Sequence, residues 1–228
     1  MGYRYLLADN DMTLMDFRRA EAAAFRETAE AFALPDPDAL YARYHRINRE
    51  VWEAFERGEL TQDRLKVLRF ERLLAEAGIG GLAGETLSGA YEDRLSRHGE
   101  AMPGAADFLT HLKAAGMKIA LVTNGISRIQ RGRLAVCGFA PLLDAVVISA
   151  EAGAAKPDPR LIGIALERLG CPDRRQAVLL GDSLTADIAA AAAAGVDCIW
   201  LNPEGLRDPR ARWTARSLAE AEDLILHA

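Results

Sequence analysis

The chain has 228 residues, half of them hydrophobic and 27% charged, the balance of a soluble protein with a sizeable core. Its formal net charge of −5 argues against a nucleic-acid duplex or an anionic membrane as main partner, though not against a small anionic substrate held by local cations. No apolar run is long enough to span a bilayer, and Cys137, Cys171 and Cys198 show neither zinc nor disulfide spacing, so a cytoplasmic location is expected.

In chain order, Tyr3 to Ala8 is an apolar run expected to form a buried strand ending at Asp9. From about Asp16 to Glu100 the periodicity is helical, rich in Ala, Glu, Arg and Leu. Breaks at Leu34–Asp38, Gly58–Thr61 and Gly78–Gly84 leave about four helices. From Met102 the pattern changes. Short apolar runs at Met117–Val122, Ala145–Ser149, Ala177–Leu180 and Asp197–Leu201 alternate with helical stretches at Ile126–Val136, Pro159–Leu169 and Leu184–Ala194. Strands alternating with helices indicate βαβ units and a parallel sheet covered on both faces. The alanine run Ala189–Ala194 is expected to be a helix packed closely on that sheet and capped by Gly195.

The expected fold class is thus α/β: a Rossmann-like parallel-sheet core from residues 1–16 and 101–228, with an all-helical cap inserted over 17–100. Right-handed crossovers bring the strands' C-terminal ends to one rim, where ligands of such sheets bind. The polar residues at those ends are Asp9, Asp11 and Thr13; Thr123, Asn124 and Gly125; Lys156; and Asp182, with Asp187 about one helical turn beyond. Each is weak evidence alone. An Asp-x-Asp pair is a common solvated strand end, Thr-Asn-Gly a turn, a lone lysine a surface group and Gly-Asp a helix cap. Jointly and in this order, they suit phosphoryl transfer through a covalent intermediate.

Asp9 is placed to attack phosphorus, and its charge against a phosphate calls for a divalent cation; magnesium prefers an oxygen shell. Asp9 and Asp182 each offer a carboxylate oxygen to Mg2+, and the main-chain carbonyl of Asp11 a third ligand. The Asp11 side chain is then available as general acid and base. Thr123 and the amides around Asn124 and Gly125 suit phosphoryl oxygens, and Lys156 suits the charge that develops on them. Asp187 is expected either to orient water or the lysine, or to be structural. Thr13 is expected to fix the loop after the first strand.

These motifs, Asp9-Asn-Asp-Met-Thr13, Val122-Thr-Asn-Gly125, Ala155-Lys-Pro157 and Gly181-Asp-Ser-Leu-Thr-Ala-Asp187, resemble those of the haloacid dehalogenase (HAD) superfamily. Met12 stands where many members carry glycine or glutamate. The resemblance implies an HAD-like fold. The second aspartate, Asp11, separates phosphatases and phosphomutases from dehalogenases and phosphonatases. An all-helical insertion after the first motif resembles the type 1 cap. Ile47–Leu74 and Ile199–Gly205 look like the pyrimidine 5′-nucleotidase branch. The resemblance therefore implies a magnesium-dependent phosphatase whose partner is a small phosphorylated metabolite, a nucleoside 5′-monophosphate by branch. Sugar-phosphate hydrolysis and a non-catalytic binding role remain as alternatives.

In the cap, Tyr41, Tyr44, His45, Asn48, Trp52 and Phe55 follow a helical spacing. They are expected first as a stripe buried against the other cap helices, and alternatively as aromatics that stack on a base. Arg43, Arg46 and Arg49 are expected on a solvated face.

Overall fold

The computed structural model describes residues 2–227. It contains two compact units: the chain up to Phe17 with Glu100–Ser127 and everything from Cys137 onward; and Arg18–Gly99 with Arg128–Val136.

The first unit is built on a six-stranded sheet with every neighbouring pair parallel. Its strands are β1 (Tyr5–Ala8), β2 (Lys118–Thr123), β3 (Ala145–Ile148), β4 (Ala177–Gly181), β5 (Asp197–Leu201) and β6 (Trp213–Ala215), in the order β3-β2-β1-β4-β5-β6. β1 is central, with Leu7 in register with Ala120 on one side and Leu179 on the other. The order reverses between β3 and β4, which leaves a crevice beyond the C-terminal ends of β1 and its neighbours.

Alternation along the strands divides the core. Leu7, Val122, Val147 and Leu179 join Leu161, Ile162 and Ala165 in one buried cluster. Leu6, Ile119, Leu121, Val178 and Leu180 are equally buried on the opposite face. Near-continuous apolar strands of this kind are expected where both faces are covered.

Five helices number α1 (Phe17–Ala31), α2 (Pro37–Glu56), α3 (Gln62–Ala77), α4 (Gly84–Leu95) and α5 (Ala105–Ala114); α6 (Ser127–Val136) follows β2. A short α7 (Ser149–Ala152) leads to α8 (Pro159–Leu169), which Asp158 caps by accepting from the Arg160 amide. The alanine run is α9 (Ala189–Ala194), ended by Gly195 at φ 67°. Ala190 and Ala191 are fully buried, so the missing side-chain volume is what lets this helix pack tightly. A π-helical turn, Leu184–Ile188, precedes it, where sequence periodicity leads to an expectation of regular helix from Leu184. β6 and the last helix, α10 (Leu218–His227), have no counterpart among the strands and helices expected from sequence.

The second unit is all helical. Asp36 caps α2, accepting from the Ala39 amide at 3.2 Å with Pro37 at the first helical position. Thr61 caps α3. These caps fall at two of the three breaks seen in the sequence. Phe25, Tyr44, Phe70 and Tyr91 form the aromatic centre, with Tyr44 stacked on Phe25 at 4.9 Å and on Phe70 at 5.0 Å. Of the expected stripe, Tyr44 and Asn48 are buried, whereas Tyr41, His45, Trp52 and Phe55 are half-buried. Arg46 and Arg49 stay largely exposed, with Arg46 paired to Glu50 and Glu76. Residues 128–136 of α6 also belong to this unit. Gly132 makes that possible: a Cβ there would lie 2.6 Å from the Ser96 carbonyl oxygen.

Candidate active site

The C-terminal ends of β1, β2 and β4 carry polar side chains, those after β1 and at the end of β2 buried and the one after β4 half-buried. Asp9 follows β1 directly, and its amide donates to the Leu180 carbonyl at 2.9 Å, which ties the residue to the end of β4. Thr123 closes β2 and is 2% exposed. Asp182 follows β4, and the indole Nε1–H of Trp200 on β5 donates to its main-chain carbonyl at 2.8 Å. Lys156 lies in the loop between α7 and α8, with Asn124 and Gly125 in the turn before α6.

Lys156 is the centre of the constellation. Its Nζ donates to Asp9 Oδ1 at 2.5 Å, to Asp187 Oδ1 at 2.6 Å and to the Val122 carbonyl at 2.9 Å. An ammonium has three hydrogens, and these acceptors use all of them. Burial disfavours its charge, but Asp187 and Asp9 outweigh that and hold the lysine above its usual value, fully protonated. Asp187 is itself fixed on the other side, its Oδ2 accepting from the Ser183 amide at 3.0 Å.

Of the residues singled out in the sequence, Asp9, Lys156, Asp182 and Asp187 come together. Thr123, Asn124 and Gly125 lie on the adjoining strand end, and Asp11 two residues beyond Asp9 at intermediate exposure. Thr13 is fully buried within the loop that follows β1. Two contacts carry no sequence signal: the Trp200 indole on Asp182, and the Asn124 carboxamide, which is spent on the Lys156 main chain. Neither a tryptophan in an apolar strand nor an asparagine before glycine announces such a partner.

Oxygens of Asp9, Asp182 and Asp187 lie within 4.8 Å of one another. Burial raises Asp9 well above the ordinary carboxylate range; Lys156 opposes this, while Asp187, Asp182 and Asp11 add to it. Asp182 is pushed up to about 7, by burial first and then by Asp187. Three carboxyl groups, two buried and one half-buried, against one ammonium leave the cluster with an excess of acid. An all-oxygen donor set with that excess fits a hard divalent cation such as magnesium, held by Asp9, Asp182 and Asp187.

A family model for haloacid dehalogenase-like hydrolases matches residues 6–201, the whole stretch from β1 to β5. The chain belongs to that family. Similar proteins include the pyrimidine 5′-nucleotidase PynA of Streptococcus pneumoniae, 32% identical over 99% of this chain and 94% of its own, and the pyrimidine 5′-nucleotidase YjjG of Escherichia coli, 31% identical over 99% of both. YfnB of Bacillus subtilis is 35% identical over 89% of this chain and 85% of its own. A crystal structure of YfnB bound to magnesium superposes with a TM-score of 0.91 at 33% identity, covering all of both chains. The HAD-like fold with an inserted helical cap, expected from the motifs, is therefore established, and the relatives mark the chain as an HAD hydrolase of the phosphatase kind. Among the described residues, no helix is long and apolar enough to cross a membrane.

Proposed function

We infer that this protein is a magnesium-dependent phosphomonoesterase that works through an aspartyl phosphate on Asp9, with nucleoside 5′-monophosphates, pyrimidines preferred, as substrates. The observation that carries the chemistry is the buried contact of Asp9 with Lys156 beside Asp182 and Asp187. Likeness to two pyrimidine 5′-nucleotidases, running through the helical insertion as well as the core, supports the substrate.

In the first step an Asp9 carboxylate oxygen bonds to phosphorus as the ester P–O bond breaks, and Asp11, as the acid, gives its proton to the leaving oxygen. In the second, Asp11 as carboxylate takes a proton from a water that attacks phosphorus, releasing phosphate and regenerating Asp9. Thr123 and the amides of Asn124 and Gly125 hold the phosphoryl oxygens through both steps. Lys156 opposes the effect of burial on the Asp9 carboxylate and offsets the charge that builds on the phosphoryl group. A magnesium ion held by Asp9, Asp182 and Asp187, with the Asp11 carbonyl, would supply the remaining positive charge. The helical segment, 17–100, is assigned the choice of leaving group. Three cysteines without disulfides suit a reducing, cytoplasmic setting.

Phosphate release from a panel of nucleotides and sugar phosphates, with magnesium and with chelator, tests this reading. Chelator-sensitive release fastest from dUMP, dTMP or UMP is expected. Fastest release from a sugar phosphate would keep the chemistry and overturn the substrate. No release from any of them would favour a binding role.

A further inference from the structure

The side chain of Asn124 faces the lysine loop. Its Oδ1 accepts from the Lys156 amide at 2.7 Å, and its Nδ2 donates to the Lys156 carbonyl at 2.7 Å. One bond needs an acceptor and the other a donor, so the pair fixes the amide's orientation. The far end of the same lysine is gripped by the same strand end, where the Val122 carbonyl accepts from Nζ at 2.9 Å. Root and tip of Lys156 are therefore both referenced to the C-terminal end of β2. Between those anchors, Nζ is delivered to Asp9 and Asp187.

We propose that Asn124 is a positioning residue for Lys156: its carboxamide seats the lysine's main chain so that Nζ meets Asp9. Only a carboxamide of this length donates and accepts at once here. Aspartate keeps the acceptor and loses the donor, alanine loses both, and glutamine is one methylene too long. The substrate-binding role given to Asn124 above rests on its main-chain amide and is separate. The proposal deepens the phosphatase reading and rests on it for the role of Lys156.

Two measurements on Asn124→Ala and Asn124→Asp test it. The first is lysine acylation followed by peptide mass spectrometry, which does not need turnover. Lys156, 2% exposed, is expected to be protected in the native protein. Loosening its loop should raise its labelling by about tenfold in Asn124→Ala, with Lys66, Lys113 and Lys118 unchanged. Asn124→Asp, which keeps one of the two bonds, should fall between and serves if the alanine variant does not fold. Unchanged Lys156 labelling in a folded variant would overturn the proposal.

The second is steady-state kinetics. Charge on Lys156 counts most in the transition state, so kcat should fall by roughly 10- to 100-fold with KM nearly constant. In a Lys156→Ala background, Asn124→Ala should add no further loss. A raised KM with unchanged kcat, or losses that simply multiply, would show that the side chain acts on substrate or elsewhere and not through Lys156. An inactive native protein would sink the phosphatase reading alone, because the labelling result would still stand.

Discussion

Gly181 and Asp187 are in direct contact: a Cβ built on Gly181 would lie 2.3 Å from the Asp187 carboxyl carbon. Gly181 closes β4, and the π-helical turn folds Asp187 back onto it, from where its Oδ1 reaches Lys156. A glycine is required here by close approach rather than by backbone conformation. Gly181→Ala should push Asp187 off the lysine, lowering kcat by about 100-fold. Overpacking should also cost about 1–3 kcal/mol of stability. Phosphate-release kinetics and thermal unfolding measure the two effects; native values for both would mean that Asp187 can move freely.

Glu21 organises the helical unit. Its carboxylate is 1% exposed and accepts from Tyr41 Oη at 3.1 Å, His45 Nδ1 at 2.6 Å and Asn48 Nδ2 at 2.8 Å. Asn48 in turn accepts from the buried Arg69 guanidinium at 3.1 Å. Removing the carboxylate leaves several donors unmatched, so Glu21→Ala should destabilise by roughly 3 kcal/mol. Arg46→Ala, which breaks exposed ion pairs to Glu50 and Glu76, should cost far less than Glu21→Ala. Denaturant unfolding of both variants checks the order, and an Arg46→Ala loss equal to that of Glu21→Ala would refute it.

Asp144 ties α5 to the sheet. It accepts from Lys113 Nζ at 2.7 Å and from the Ile119 amide at 2.7 Å. Burial pushes its carboxyl up, but the bonds from Lys113 and Ile119 win and hold it below its usual value. A carboxylate with a lowered folded-state pKa contributes its full stability above the unfolded value near 4, and loses it as pH falls through the folded value. The native protein should therefore exceed Asp144→Asn by about 1 kcal/mol at pH 7, a modest figure because the pair is partly solvated. That advantage should shrink below about pH 4. Urea titrations at several pH values test it; an advantage that grows on acidification would reverse the sign.

The core was legible because its strands carry two readable signals at once, apolar runs and polar residues at their C-terminal ends. Asp9, Lys156 and Asp182 could be placed on one rim without knowing the strand order, since any parallel sheet aligns those ends. The short edge strand β6 was not legible. Its three residues follow a loop rich in Pro, Gly and Arg, and its backbone pairing with β5 leaves no pattern of its own. Helix α6 looked like a core crossover by position, yet most of it belongs to the helical unit, through Gly132 against Ser96 and the Arg128–Asp93 ion pair. The stripe on α2 mixed two functions that periodicity cannot separate. Tyr44 enters the aromatic centre, while Tyr41, His45 and Asn48 serve Glu21. Glu21 itself gave no hint, being one more acid in a charged helix.

Covalent catalysis by Asp9 underlies the whole proposed reaction, and it leaves an intermediate that can be trapped. Asp11→Asn removes the acid of the first step and the base of the second, so after mixing with dUMP and magnesium this variant should lose turnover, and it should hold phosphate on the protein where hydrolysis is the step that limits. Acid quenching and peptide mass spectrometry should then find the mass of one phosphoryl group on the peptide that contains Asp9, and none in an Asp9→Asn variant, which should be folded and inactive. Turnover retained by a folded Asp9→Asn variant, or a phosphoryl group found on another residue, would contradict the account.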